Sequence, residues 1–160
     1  MSVAFTKEGS AETASETQLP DRPISPHPNL VTSTGLKALR SSLEIAQKAY
    51  EQAQLTEDVN EKRRLSAVPL RDIRYLIERI RTAQVVARPA SNDVVAFGHT
   101  VTFGRADGRI QTYRIVGEDE ADPKNGSISF VSPVARSLIG KAPGEVVGSA
   151  QQRIEILAVS

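Results

Sequence analysis

Between Leu36 and Ala53 the apolar side chains recur three and four residues apart, at Leu36, Leu39, Leu43, Ala46, Tyr50 and Ala53. That is the spacing of a helix with one narrow buried stripe. Lys37, Arg40, Glu44, Lys48 and Glu51 fall off the stripe, where water can reach them. Thr32 or Thr34 can cap the start through a side-chain oxygen. A second stripe follows in VPLRDIRYLIERIRTAQ, at Ile73, Leu76, Ile80 and Ala83, with Ile77 widening it. Proline suits the first turn of a helix and is costly in its interior, so the spacing predicts a regular start close to Pro69. Two stripes joined by a short polar link predict an antiparallel helical hairpin. A first helix of roughly 20 residues would make an arm about 30 Å long.

After Ala87 the period shortens toward two. VVAFGHTVTFGR, IQTYRIVG, SISFV, EVVGSA and RIEILAVS are rich in Val, Ile, Phe and Tyr and predict short strands. Asp107-Gly108 supplies a turn between the first two. PVARSLIG predicts one short helix, with Ser132 as cap, Pro133 at its first position and Gly140 at its stop. This half is expected to be a small, mostly antiparallel sheet covered on its apolar face by one helix. The fold class is thus α+β. Residues 1–29, rich in Ser, Thr, Glu and Pro, have little to bury and predict a disordered N-terminal tail. Residues 30–86 form the hairpin and residues 87–160 the sheet domain, with the boundary marked by the change of period and by Arg88-Pro89.

The 160 residues are 39% hydrophobic and 24% charged, with a net charge of +1, so no concentrated basic surface for a phosphate backbone is indicated. There is no cysteine, which excludes disulfides, a thiolate nucleophile and cysteine-ligated metals. No apolar run is long enough to cross a membrane, and the start has neither the basic nor the apolar part of a secretory signal. Cytoplasmic residence without a membrane partner is expected. No hydrolase triad, zinc motif or phosphate-binding glycine loop is present. His27 falls in the tail, and His99, within a strand, reads as structural. GEDEADPKNG, residues 117–126, carries Glu118, Asp119, Glu120 and Asp122 without the spacing of a calcium loop, and reads first as a solvated connection.

LTEDVNEKRRLS, residues 55–66, lies at the far end of the hairpin. Asp58-x-x-Glu61 can bring two carboxylates together on one helical turn. Two carboxylates are too few for a self-sufficient Mg²⁺ site, so the remaining ligands would come from water, phosphate or a partner. A polar link between helices is the competing explanation.

YRIVGEDEADP at 113–123, SPVARSLIGK at 132–141 and the following PGEVV closely resemble the C-terminal domain of the bacterial Gre (GreA/GreB) transcription elongation and transcript-cleavage factors. VTSTGLKALRSSLE and RIRTAQVV resemble the ends of that family's N-terminal hairpin. The resemblance implies a coiled-coil hairpin joined to an FKBP-like domain that docks at the RNA polymerase secondary channel. It implies that Asp58 and Glu61 are catalytic carboxylates donated in trans. They would hold Mg²⁺ jointly with polymerase, which hydrolyses backtracked RNA in its own active site. The chain is then an activator and not an enzyme, with no cofactor of its own, and is expected to be a monomer. Lys62 and Arg63 stand where the family usually has Asn and Ala after the second acid, and Arg64 follows them. They could contact RNA or polymerase, or pair with the tip acids. The arm is about six to eight residues shorter than the family's, which removes about 9 Å of reach. Two further readings stay open: a polymerase-binding regulator or channel competitor that does not cleave, and a nucleoside diphosphate kinase regulator-like interaction protein.

Overall fold

The computed structural model describes residues 19–160. Residues 1–18, the larger part of the expected tail, lie outside the described residues. The chain divides into two units, one comprising the stretch ending at Ile24 together with Arg40–Arg81, the other Ser25–Leu39 with Thr82–Ser160.

The first unit is a helical hairpin. Helix α1 spans Ser33–Gln54, beginning within the second unit, and helix α2 spans Val59–Thr82. Of the expected stripe on α1, Leu39, Ala46 and Ala53 are buried, while Leu36, Leu43 and Tyr50 are half-buried. On α2, Leu76 is buried and Ile73 and Ile80 are half-buried, but Ile77 is 49% exposed and does not widen the buried stripe. Near the far end the hairpin closes on a polar rung, where Gln54 Nε2 donates to Oγ of the buried Ser66 at 2.9 Å.

The start of α2 differs from the sequence expectation. It begins ten residues before Pro69, which lies inside the helix. Proline there removes the ladder bond to the Leu65 carbonyl, a cost of about 3 kcal/mol. A strong start upstream offsets this: Asp58 Oδ1 accepts the Glu61 N–H at 2.7 Å, and the Lys62 N–H donates to the Asp58 carbonyl at 2.9 Å. The link between the helices is therefore only Leu55–Asp58, and most of LTEDVNEKRRLS is helical.

Residues 19–29, which the sequence reading assigned to the tail, make defined contacts. Arg74 Nε donates to Asp21 at 2.6 Å, Arg22 reaches Asp72 at 3.3 Å, and the Arg22 guanidinium lies 3.8 Å above the Tyr75 ring. Farther along, Asn29 is buried, and its Nδ2 donates to Thr82 Oγ1 at 3.1 Å.

In the second unit, strands β1 (Leu30–Val31) and β2 (Gln84–Val85) pair in parallel. Five further strands form one sheet: β3 (Thr100–Arg105), β4 (Ile110–Val116), β5 (Ser127–Ser129), β6 (Val146–Val147) and β7 (Ile154–Val159). Their order is β5-β4-β3-β7-β6, and all pairings are antiparallel except β4 with β5. The sheet is thus mixed, because the connection through residues 117–126 returns β5 alongside β4 in the same direction. Helix α3 (Pro133–Leu138) is capped by Ser132, whose oxygen accepts the Ala135 N–H at 3.3 Å, and Gly140 follows it with φ 84°. Ala135 and Leu138 of α3 meet Val101, Phe103, Ile115 and Ile156 of the sheet in one apolar core. Each fully buried large side chain there contributes roughly 1.5–3 kcal/mol.

The strand expected from Val94 is regular only from Thr100. Gly98, at φ 91°, and a turn in which the His99 N–H donates to the Ala96 carbonyl at 3.1 Å break the extended run. Val95 and Phe97 enter the core from this irregular segment. His99 is fully buried, and its Nδ1 accepts the Ala96 N–H at 3.0 Å, which gives it a structural role.

Candidate functional site at the hairpin tip

The helix-start chemistry of α2 decides where the tip acids point. Aspartate caps well because its side-chain oxygen can accept one of the N–H groups a first turn leaves without a partner. Asp58 does this toward Glu61, so one of its oxygens faces inward to the backbone. The Glu61 carboxylate turns the other way, along the helix to Arg64. Arg64 Nε donates to Oε2 at 2.9 Å and Nη2 to Oε1 at 2.5 Å, a two-pronged pair one turn apart. The two hydrogen bonds from Arg64 hold the Glu61 carboxyl below its ordinary range, and the same pair raises Arg64. Both groups are on the open surface, so the pair contributes little to stability.

The structure thus ties Asp58 to the Glu61 backbone and the Glu61 side chain to Arg64. Glu57, Lys62 and Arg63 make no side-chain hydrogen bond or ion pair with the other described residues, and Glu57 and Arg63 are exposed. Arg64 pairs with a tip acid within this chain. Leu55 and Val59 flank the acids at 73% and 59% exposure. Behind them lies a shallow apolar depression bounded by Ala49, Ala53, Leu55, Leu65 and Pro69.

Among the described residues no group of three or more histidines or carboxylates could hold a metal ion. Magnesium seeks about six oxygens in near-octahedral geometry, and two carboxylates, one capping and one ion-paired, do not make a resident site.

Sequence reasoning missed a second polar cluster, at the other end of α1. Thr32 caps the helix by accepting the Gly35 N–H at 2.9 Å, and its hydroxyl donates to Glu120 Oε2 at 2.6 Å. Ser25 Oγ donates to Glu118 Oε1 at 3.0 Å. Gly117 lies so close to the Leu30 carbonyl that a Cβ there would collide with it. Asp122 accepts from Asn125 Nδ2 at 2.6 Å and shapes the turn before β5. The acidic connection is therefore a built turn that anchors residues 25–35. The readable signal was a capping threonine, but nothing local pairs Thr32 with Glu120, 88 positions away.

The YRIVGEDEADP and SPVARSLIGK phrases thus fall on β4 with its anchoring turn and on α3 with its cap. A family model described as Transcription elongation factor, GreA/GreB, C-term matches residues 90–160, this same sheet and helix. Transcription elongation factor GreA of Desulfovibrio desulfuricans is 46% identical over 77 residues, 47% of this chain and 48% of that protein. The chain thus spans about half the length of that relative. GreA of Thermomicrobium roseum is 35% identical over 136 residues, 73% of this chain and 85% of that protein, an alignment too long to be confined to the sheet domain. The crystal structure of GreA factor homolog 1 (Gfh1) of Thermus thermophilus is similar at 18% identity and a TM-score of 0.39, over 84% of this chain and 99% of that one. The sequence relatives make the assignment: this chain belongs to the GreA/GreB family of transcription elongation factors.

Proposed function

We propose that the chain is an elongation factor that binds RNA polymerase at its secondary channel and brings the hairpin tip to the polymerase active site, where it promotes hydrolysis of backtracked RNA. The observation that carries this reading is the position of Asp58-x-x-Glu61, at the turn between the two helices and at the start of α2. In this reading residues 30–86 are the arm that enters the channel. Residues 87–160 are a docking domain of the FKBP-like type. Asp58 and Glu61 are acceptors offered in trans, and Lys62 and Arg63 are the free cations beside them, suited to phosphates of RNA or to acidic groups of polymerase. A Mg²⁺ shared with polymerase would supply nucleophile activation and charge stabilisation. The chain's own part is to place the acceptors. To do so, Glu61 must exchange Arg64 for its new partner, and Asp58 must offer the oxygen that does not cap α2.

The test is a polymerase complex backtracked on defined DNA and RNA. Added protein should speed cleavage of the RNA 3′ end. Asp58→Asn and Glu61→Gln should each lower that stimulation by roughly tenfold or more, about 1.4 kcal/mol of barrier, with binding unchanged. Stimulation that survives both changes removes the site assignment.

The Glu61–Arg64 pair favours one further reading, a channel-binding regulator that does not cleave. It predicts competition for the channel with no gain in hydrolysis by the wild-type chain in the same assay.

A further inference from the structure

Just behind its tip the hairpin keeps an apolar hollow. Ala49 and Ala53 of α1 are too small to fill the space that Leu55, Leu65 and Pro69 bound, which leaves an open depression of about 580 Å³. Leu55 and Leu65 are 73% and 42% exposed there. Contiguous exposed apolar surface marks an interaction site. The path of the chain before α1 points to its occupant. Read backwards from Asn29, which bonds Thr82, the chain follows α2 toward the tip, with Asp21 on Arg74 and Arg22 on Asp72 and over the Tyr75 ring. Asp72, Pro69 and Leu65 are spaced three and four residues apart, so they share one row of α2. The anchor of Arg22 therefore lies on the row that leads into the depression, with Leu65 about 10 Å beyond it.

We propose that residues 1–5 of the same chain dock in this depression, with Phe5 seated between Leu55 and Leu65, as a cis cover over the apolar flank of the tip. Eighteen residues precede Leu19, and among them only Met1, Val3 and Phe5 carry apolar side chains larger than alanine. Their spacing of two puts all three on one face of an extended segment. The thirteen residues between Phe5 and Leu19 can span at most about 45 Å, several times the distance from the Arg22 anchor to Leu65. Chain of that length costs little more to close than a shorter link, and tethering raises the local concentration of Phe5 to the millimolar range. The cover does not rest on any chemistry of Asp58 or Glu61. It is an autoinhibitory contact: a partner that grips Leu55 and Leu65 has to displace Phe5 first.

The chain has no cysteine, so a single spin label can be placed through Ser2→Cys in the full chain. The label should broaden the methyl resonances of Leu55 and Leu65 more than those of Ile77, which lies about 18 Å from Leu65 along α2. The broadening should not change on dilution. Phe5→Ser leaves the residues that build the hairpin as they are, and it should abolish the effect. The proposal is overturned if the label broadens neither leucine, or if Phe5→Ser leaves the broadening intact. It is equally overturned if the broadening fades on dilution and reappears when spin-labelled chains are mixed with isotope-labelled ones that carry no spin label, a pattern that gives the depression to a second copy.

Discussion

The hydroxyl of Thr32 serves two elements at once: it accepts the Gly35 N–H at 2.9 Å and donates to the Glu120 carboxylate at 2.6 Å, across 88 positions of sequence. Thr32 is 4% exposed, so neither bond can be replaced by water. Thr32→Val keeps the shape and removes both, which should cost about 2–3 kcal/mol, while Thr32→Ser should cost less than half of that. Urea unfolding of the two variants against wild type checks the order.

Asp58 has a structural duty that can be separated from its proposed functional one. Asparagine caps as well as aspartate, and alanine does not. Asp58→Asn should therefore leave stability within about 0.5 kcal/mol, whereas Asp58→Ala should lose about 1 kcal/mol and fray the first turn of α2. Amide exchange at Glu61 and Lys62 reads the fraying directly. A loss of cleavage stimulation in Asp58→Asn would then report on charge and not on folding.

The Glu61 carboxyl is held below its ordinary value of 4.5, first by the hydrogen bonds from Arg64 and then by its charge. A depressed folded value means that the pair's contribution is present above the ordinary value and fades as pH falls through the lowered one. Arg64→Gln should move the Glu61 titration up toward the ordinary value, as should high salt to a smaller extent. Carboxyl carbon NMR of labelled Glu61 measures both. An unmoved titration in Arg64→Gln would mean that the two side chains do not pair in solution.

Pro69 occupies a helix interior where its nitrogen cannot bond the Leu65 carbonyl. Pro69→Ala restores that bond and should stabilise the hairpin by about 1–3 kcal/mol, less whatever Pro69 contributes to the apolar depression beside Leu65. A rise in the helix-monitored melting temperature is the expected result.

How far the sequence could be read followed from how local each cause was. Ser132, Pro133 and Gly140 lie within one short stretch and act on one another, and α3 starts and stops where they indicate. The seam of α1 was visible because Leu39, Ala46 and Ala53 repeat on one face. Pro69 points to too late a start for α2, since a proline cost is readable in sequence while the Asp58 cap that outweighs it reads there as a polar link or an acidic tip. Gly98 gave no sign that the run from Val94 would bend. The acidic turn was seen, but its partners Thr32 and Ser25 were beyond any local pattern. At the tip, the residues were legible and their pairing was not: Arg64 could equally have faced a partner or Glu61.

The polar rung between Gln54 and Ser66 bears on how the hairpin tolerates change in length. Sliding one helix past the other by a turn would leave a buried hydroxyl dry, a penalty of about 1–3 kcal/mol. The alignment of α1 and α2 is thus pinned just behind Leu55–Asp58, and the four linking residues are free of that task. Residues inserted there would bulge outward ahead of the pin, so the extent of the tip can vary while the helices behind it keep their positions.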